Sequence, residues 1–103
     1  MAQISVTATA DSDTAEIISY LDAKAGRDVA ARYVAAFEDV YDRLAIYPQS
    51  GAPRATLGSQ VRISVVAPFV IIYEYIEADD LVIILRVLHG HRKISVRSLL
   101  RGT

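Results

Sequence analysis

With 103 residues, the chain has room for one hydrophobic core and no second one, and 52% hydrophobic with 22% charged side chains is a globular composition. It has no cysteine, which excludes a disulfide framework and a thiolate metal site. The net charge of −1 hides two unlike halves: residues 1–50 carry four basic and eight acidic side chains, residues 51–103 seven basic and four acidic.

From Arg86 onward there are five positive charges and no carboxylate. A chain acidic at one end and basic at the other suits a protein partner of mixed charge better than nonspecific nucleic-acid binding, which calls for a net basic domain. The N-terminus has no basic flank leading into an apolar run. The longest apolar stretch, residues 65–72, is too short to span a bilayer and contains Pro68. The expectation is a cytoplasmic protein with no membrane contact.

In chain order, residues 3–9 alternate Ile4, Val6 and Ala8 with Ser5, Thr7 and Thr9, which predicts a short strand whose polar face suits a sheet edge. Asp13-Thr14-Ala15-Glu16 resembles a capping box. Ile17, Ile18, Leu21 and Ala25 then follow at helical spacing until Gly26, predicting a helix of about three turns. Asp28 is the expected cap of a second helix with Val29, Tyr33, Phe37 (or Ala36), Val40, Leu44 and Tyr47 on one face, ended by Pro48. The two helices form an antiparallel hairpin across Gly26-Arg27, and their shared apolar face needs a flat partner.

The second half provides that partner. After a loop at 49–60, residues 61–66, 69–77 and 81–89 read as strands joined by turns too short for parallel crossovers, so they form an antiparallel meander. The first strand is expected to join the last part of this sheet. The strands at 69–77 and 81–89 are apolar on both faces, so the second face needs cover from a partner or from the tail 93–103. That tail intersperses Ile94, Val96, Leu99 and Leu100 with Lys93, Arg97 and Arg101, and either packs on its own sheet or contacts a partner. The fold class is α+β: an N-terminal strand, an α-hairpin, then a three-stranded meander with the helices on one face.

Over residues 3 to 93 this ordered series resembles the ParE/RelE superfamily of toxin–antitoxin toxins. It is carried by Pro48 with Gly51 in the loop, Arg62 after a Gly-containing turn, Tyr73 in the middle strand, and Arg86-Val87-Leu88-His89-Gly90 at the end. The resemblance implies, on its ParE-like branch, a non-enzymatic inhibitor of DNA gyrase. It also implies a ParD-like antitoxin whose C-terminal segment folds on the toxin, with DNA reached only through antitoxin or gyrase. The alternatives are a ribosome-dependent messenger-RNA endonuclease of the RelE kind and a degenerate toxin that retains only antitoxin binding.

An endonuclease needs a base for the 2′-hydroxyl, an acid for the leaving oxygen and cations for the phosphate, and Arg62, Arg86 and His89 are the candidates. Nuclease members of the superfamily use a basic, often lysine-rich cleft with a tyrosine near the C-terminus. This chain has only Lys24 and Lys93, and no tyrosine after Tyr75. Candidates for contact with target or antitoxin are Arg54, Arg62, Arg86, His89, His91 and Arg92. If Glu77 faces Leu81 across the last turn, Arg86 faces Ile72 and has Glu74 as a diagonal ion-pair partner. His89 and His91 have no nearby carboxylate to complete a ligand set, so neither metal nor cofactor is expected. The tyrosines are expected at the edge of the core with their hydroxyls at the surface, at least one of Tyr33, Tyr41 and Tyr47 being open to a partner.

Overall fold

The structure is a computed structural model in which residues 1–90 are described. Its elements are β1 (Gln3–Val6), α1 (Ala8–Ala25), α2 (Arg27–Ile46), β2 (Ala52–Pro53), β3 (Val61–Val66), β4 (Phe69–Ile76), a 3-10 turn (Glu77–Asp79) and β5 (Leu81–His89). They form one sheet in the order β1-β5-β4-β3-β2. β3, β4 and β5 are the expected antiparallel meander, and β1 takes an edge, pairing with β5 in parallel from Gln3↔Leu81 to Val6↔Ile84.

The predicted first strand is three residues too long. Thr7 has extended backbone (φ −67°, ψ 156°) and its hydroxyl accepts from the Ala10 N–H at 3.0 Å, which makes it the cap of α1. The helix therefore starts at Ala8, not near Asp13, and its 18 residues make about five turns rather than three. Thr14 caps nothing: its hydroxyl donates back to the Ala10 carbonyl at 2.8 Å, inside the helix.

Gly26 is the whole connection between the helices. At φ 98° it occupies a conformation open to glycine, and its N–H bonds the carbonyls of Leu21 and Asp22. α2 starts at the next residue without a side-chain cap, so Asp28 lies inside the first turn, where a carboxylate favours the helix dipole but caps nothing.

Phe37, Val40 and Leu44 of α2 and Ala10 of α1 bury against Phe69, Ile71, Tyr73, Val82, Ile84 and Val87. Ile17, Ile18, Leu21 and Tyr33 flank them half-buried. Tyr47, expected on the apolar face of α2, is 63% exposed because it follows the last helical residue. The second sheet face has its own core of Leu57, Val61, Val70, Ile72 and Leu88. The loop at 49–60 is thus more than a connector: it supplies Leu57 to this core and β2 to the sheet, paired with Ile63 and Arg62. The tail 93–103 lies outside the described residues.

Between β4 and β5 the register shifts after Ile72. Ile72 pairs with Arg86 but Tyr73 pairs with Ile84, which leaves Leu85 as an extra residue. The expected facing of Arg86 with Ile72 holds, whereas the turn assumed for it does not. Ile76, not Glu77, pairs with Leu81, and Glu77 opens the 3-10 turn.

Candidate functional site

Tyr73 sits fully buried in the middle of β4, and its ring packs in the helix-side core. Its hydroxyl donates to the Pro48 carbonyl at 2.9 Å and accepts from the Gly51 N–H at 2.9 Å, which ties the chain leaving α2 to the sheet. Arg62 is the cross-strand neighbour of Tyr73, and its Nη1 donates to the carbonyls of Gln49 (3.0 Å) and Gly51 (2.8 Å). Gly51 cannot be larger, since a Cβ there would lie 2.5 Å from the Tyr73 hydroxyl and 2.6 Å from the Ile63 carbonyl. Four anchors of the superfamily resemblance, Pro48, Gly51, Arg62 and Tyr73, therefore converge as one staple. Burial raises the Tyr73 phenol above its ordinary pKa, against the Gly51 hydrogen bond and the Arg62 charge, which lower it.

A second polar cluster forms where β1 ends. Past Val6 the outer edge of β5 loses its strand partner, and α1 passes over it instead. Asp13 accepts from Arg86 Nε at 2.7 Å, from Arg86 Nη2 at 2.9 Å and from the Val87 backbone N–H at 3.1 Å. One carboxylate thus makes a bidentate ion pair and satisfies a backbone donor that a longer β1 would have taken. The expected Arg86–Glu74 pair is replaced: Glu74 lies opposite Ile83 in the shifted register, and Asp13 is the carboxylate that Arg86 holds. The hydrogen bond to Asp13 raises the Arg86 pKa, burial works against it, and the charges of Asp13 and Glu16 add to the rise.

Beside this cluster, α1, α2 and the end of the sheet enclose an open groove of about 360 Å³, with Ile17, Leu21, Tyr33 and Phe69 on its walls and Asp13 and Glu16 at one rim. Tyr20, 62% exposed, and His89 complete its mouth. His89 is half-buried and lies edge-on to Phe69, ring centroids 5.7 Å apart, in an aromatic row with Tyr33 and Phe37. Of the tyrosines on α2, Tyr33 donates to the Ala67 carbonyl at 3.3 Å and Tyr41 packs half-buried on the core.

The fold does not bring Arg62, Arg86 and His89 together. Arg62 is on β3 and the other two are on β5, two strand spacings or about 10 Å away. Arg62 is level with Tyr73 and His89 with Phe69, four residues or about 13 Å apart along β4. Arg62 is tied to the 49–51 backbone and Arg86 to Asp13. Arg54 is exposed in the loop, held by its backbone N–H to the Val61 carbonyl at 2.9 Å. His91 and Arg92 lie outside the described residues. Among those described, no three His, Asp or Glu side chains are grouped to hold a metal ion, and no helix is long and apolar enough to cross a membrane.

Asp13 is the residue that sequence reasoning missed in its actual role. It was visible only as part of a capping pattern, and its partner lies 73 positions away.

Comparison with curated proteins returned no match. Among solved structures, the fold is similar to a chromosomal ParDE TA system from P. aeruginosa at 21% identity and TM-score 0.61, covering 86% of this chain and 96% of that one. It is similar to the toxin–antitoxin complex RelBE2 from Mycobacterium tuberculosis at 21% identity and TM-score 0.60, covering 85% of this chain and 96% of that one. At that identity the structures establish the fold and do not divide its branches. The sequence itself, over residues 4–94, matches the family model described as the ParE toxin of the type II toxin–antitoxin system parDE, and the chain belongs to that family.

Proposed function

We propose that this toxin acts in the cytoplasm as a non-enzymatic inhibitor of DNA gyrase and is neutralised by a ParD-like antitoxin. The observation that supports a non-enzymatic mode is the dispersal of Arg62, Arg86 and His89. A phosphoryl-transfer site needs its base and its cations within hydrogen-bond reach of one phosphate, whereas Arg62 lies two strand spacings from Arg86 and His89, and both arginines are engaged elsewhere. The groove between α1, α2 and β5 supports the antitoxin part, because its aromatic and aliphatic walls suit a segment that folds on binding with apolar anchors.

The competing reading is a ribosome-dependent messenger-RNA endonuclease, kept in view by the similarity to the RelBE2 complex. Purified protein decides between them: inhibited supercoiling by gyrase with ribosome-bound message left intact is the expected result. Message cutting abolished by His89→Ala, with supercoiling unaffected, would replace the proposal. Neither effect would leave a degenerate toxin that retains only antitoxin binding. In bacteria, induction of the chain alone should produce filamentation and a DNA-damage response, relieved by co-expression of the antitoxin.

A further inference from the structure

At the end of the sheet away from the groove, Arg62 opens into a small polar cavity of about 100 Å³ lined by Gln49, Ser59, Gln60, Tyr75 and Glu77. We propose that this cavity receives a single carboxylate, presented by an acidic side chain of a protein partner. Two carbonyls hold Arg62 Nη1, so the guanidinium plane is fixed by the backbone before any ligand arrives. Its Nε and Nη2 donors have no acceptor among the described residues. A pre-organised fork of this kind binds a carboxylate without the cost of ordering a long side chain.

The size and charge of the cavity select the ligand. At about 100 Å³ it has room for a small group such as one carboxylate with its methylene. Gripping a nucleic-acid backbone takes several clustered cations, and here one arginine shares the cavity with the Glu77 carboxylate. Glu77 makes no ion pair with Arg62, since the Asp13–Arg86 pair is the ion pair found among the described residues. Its charge therefore opposes an incoming anion and penalises a multiply charged one most. The Tyr75 hydroxyl donates to Asp80 at 2.7 Å, which leaves Arg62, Ser59 and the two carboxamides as donors to the ligand.

This site deepens the protein-partner reading above but is tested on the isolated full chain, so the outcome with gyrase does not decide it. Sodium acetate and inorganic phosphate are titrated at constant ionic strength while the Arg62 Nε–H and Gln60 amide resonances are followed by NMR. The expected result is saturable shifts at both positions with acetate binding more tightly than phosphate. Glu77→Gln, which leaves the Arg62 staple in place, should tighten acetate by roughly two- to fivefold, the effect of removing a partly solvated like charge. Arg62→Gln should abolish the saturable shift. Tighter phosphate binding would overturn the carboxylate assignment in favour of a phosphate-bearing ligand. Linear, unsaturable shifts with both anions would reduce Arg62 to a loop staple alone, and no effect of Glu77→Gln would overturn the charge selection assigned to Glu77.

Discussion

The two polar clusters of this fold solve opposite problems. At one end, Tyr73 and Arg62 reach from the sheet to carbonyls and an N–H of the 48–51 loop, so a buried hydroxyl and a half-buried cation are satisfied by backbone. At the other, Asp13 comes from a helix to an arginine and a strand N–H, so a nearly buried charge pair replaces a missing strand. The first fixes where a loop goes; the second fixes how α1 lies on β5. A staple to backbone tolerates loss of one side chain more easily than an ion pair does, because an orphaned carbonyl is cheaper to bury than an orphaned guanidinium.

The sharpest break in the comparison is therefore Asp13→Ala. Arg86 and Asp13 side chains are 12% and 13% exposed, and the change would take away the carboxylate that Arg86 holds and leave the Val87 N–H without that acceptor. A loss of about 2–4 kcal/mol is expected in urea unfolding; a loss below that of the staple variants would invert the ranking. Gly51→Ala should follow, at about 1–3 kcal/mol, because the Cβ meets the Ile63 carbonyl, which the sheet holds. Tyr73→Phe keeps the ring and removes two hydrogen bonds, for about 1–2 kcal/mol. Its loss should add to that of Asp13→Ala if the two ends are independent, which the double variant checks.

The smallest effect is one of pH. Tyr73 has a pKa raised above the ordinary phenol value of 10.0, so above that pH the unfolded chain gives up its phenol proton first and binds fewer protons than the folded one. The stability tied to this group is complete below pH 10.0 and falls as pH rises towards the higher folded value, with Tyr41 acting in the same direction. Thermal melts between pH 9 and pH 11 should show a shallower decline for Tyr73→Phe than for the parent; parallel curves would exclude Tyr73 as the source.

The difference between the clusters also explains what could be read from sequence. Pro48, Gly51, Arg62 and Tyr73 stood out as anchors of the superfamily resemblance, two in a loop and two on strands, and hydrogen bonds link all four. The meander was legible because three β-rich apolar runs separated by short turns admit few pairings. The start of α1 was not, since Thr7 and Asp13 both look like caps and only tertiary contacts choose between them: Thr7 caps, and also donates to the Leu85 carbonyl at 3.2 Å. The Arg86 partner was missed because an extra residue at Leu85 and the early end of β1 are properties of the assembled sheet. The second apolar face was legible, but the part the 49–60 loop plays in covering it was not, as Leu57 lies in a stretch with no periodicity.

The parallel pairing of β1 with β5 has a consequence during synthesis. The first strand waits for the last, because Gln3 finds its place only beside Leu81. A nascent chain still short of β5 has no partner for β1 and lacks Val82, Ile84 and Val87 beneath the helical hairpin, and the sheet closes only once β5 has left the ribosome. The order of synthesis therefore keeps one edge of the sheet open until β5 arrives, and β1 is the first element made and among the last to find its partner.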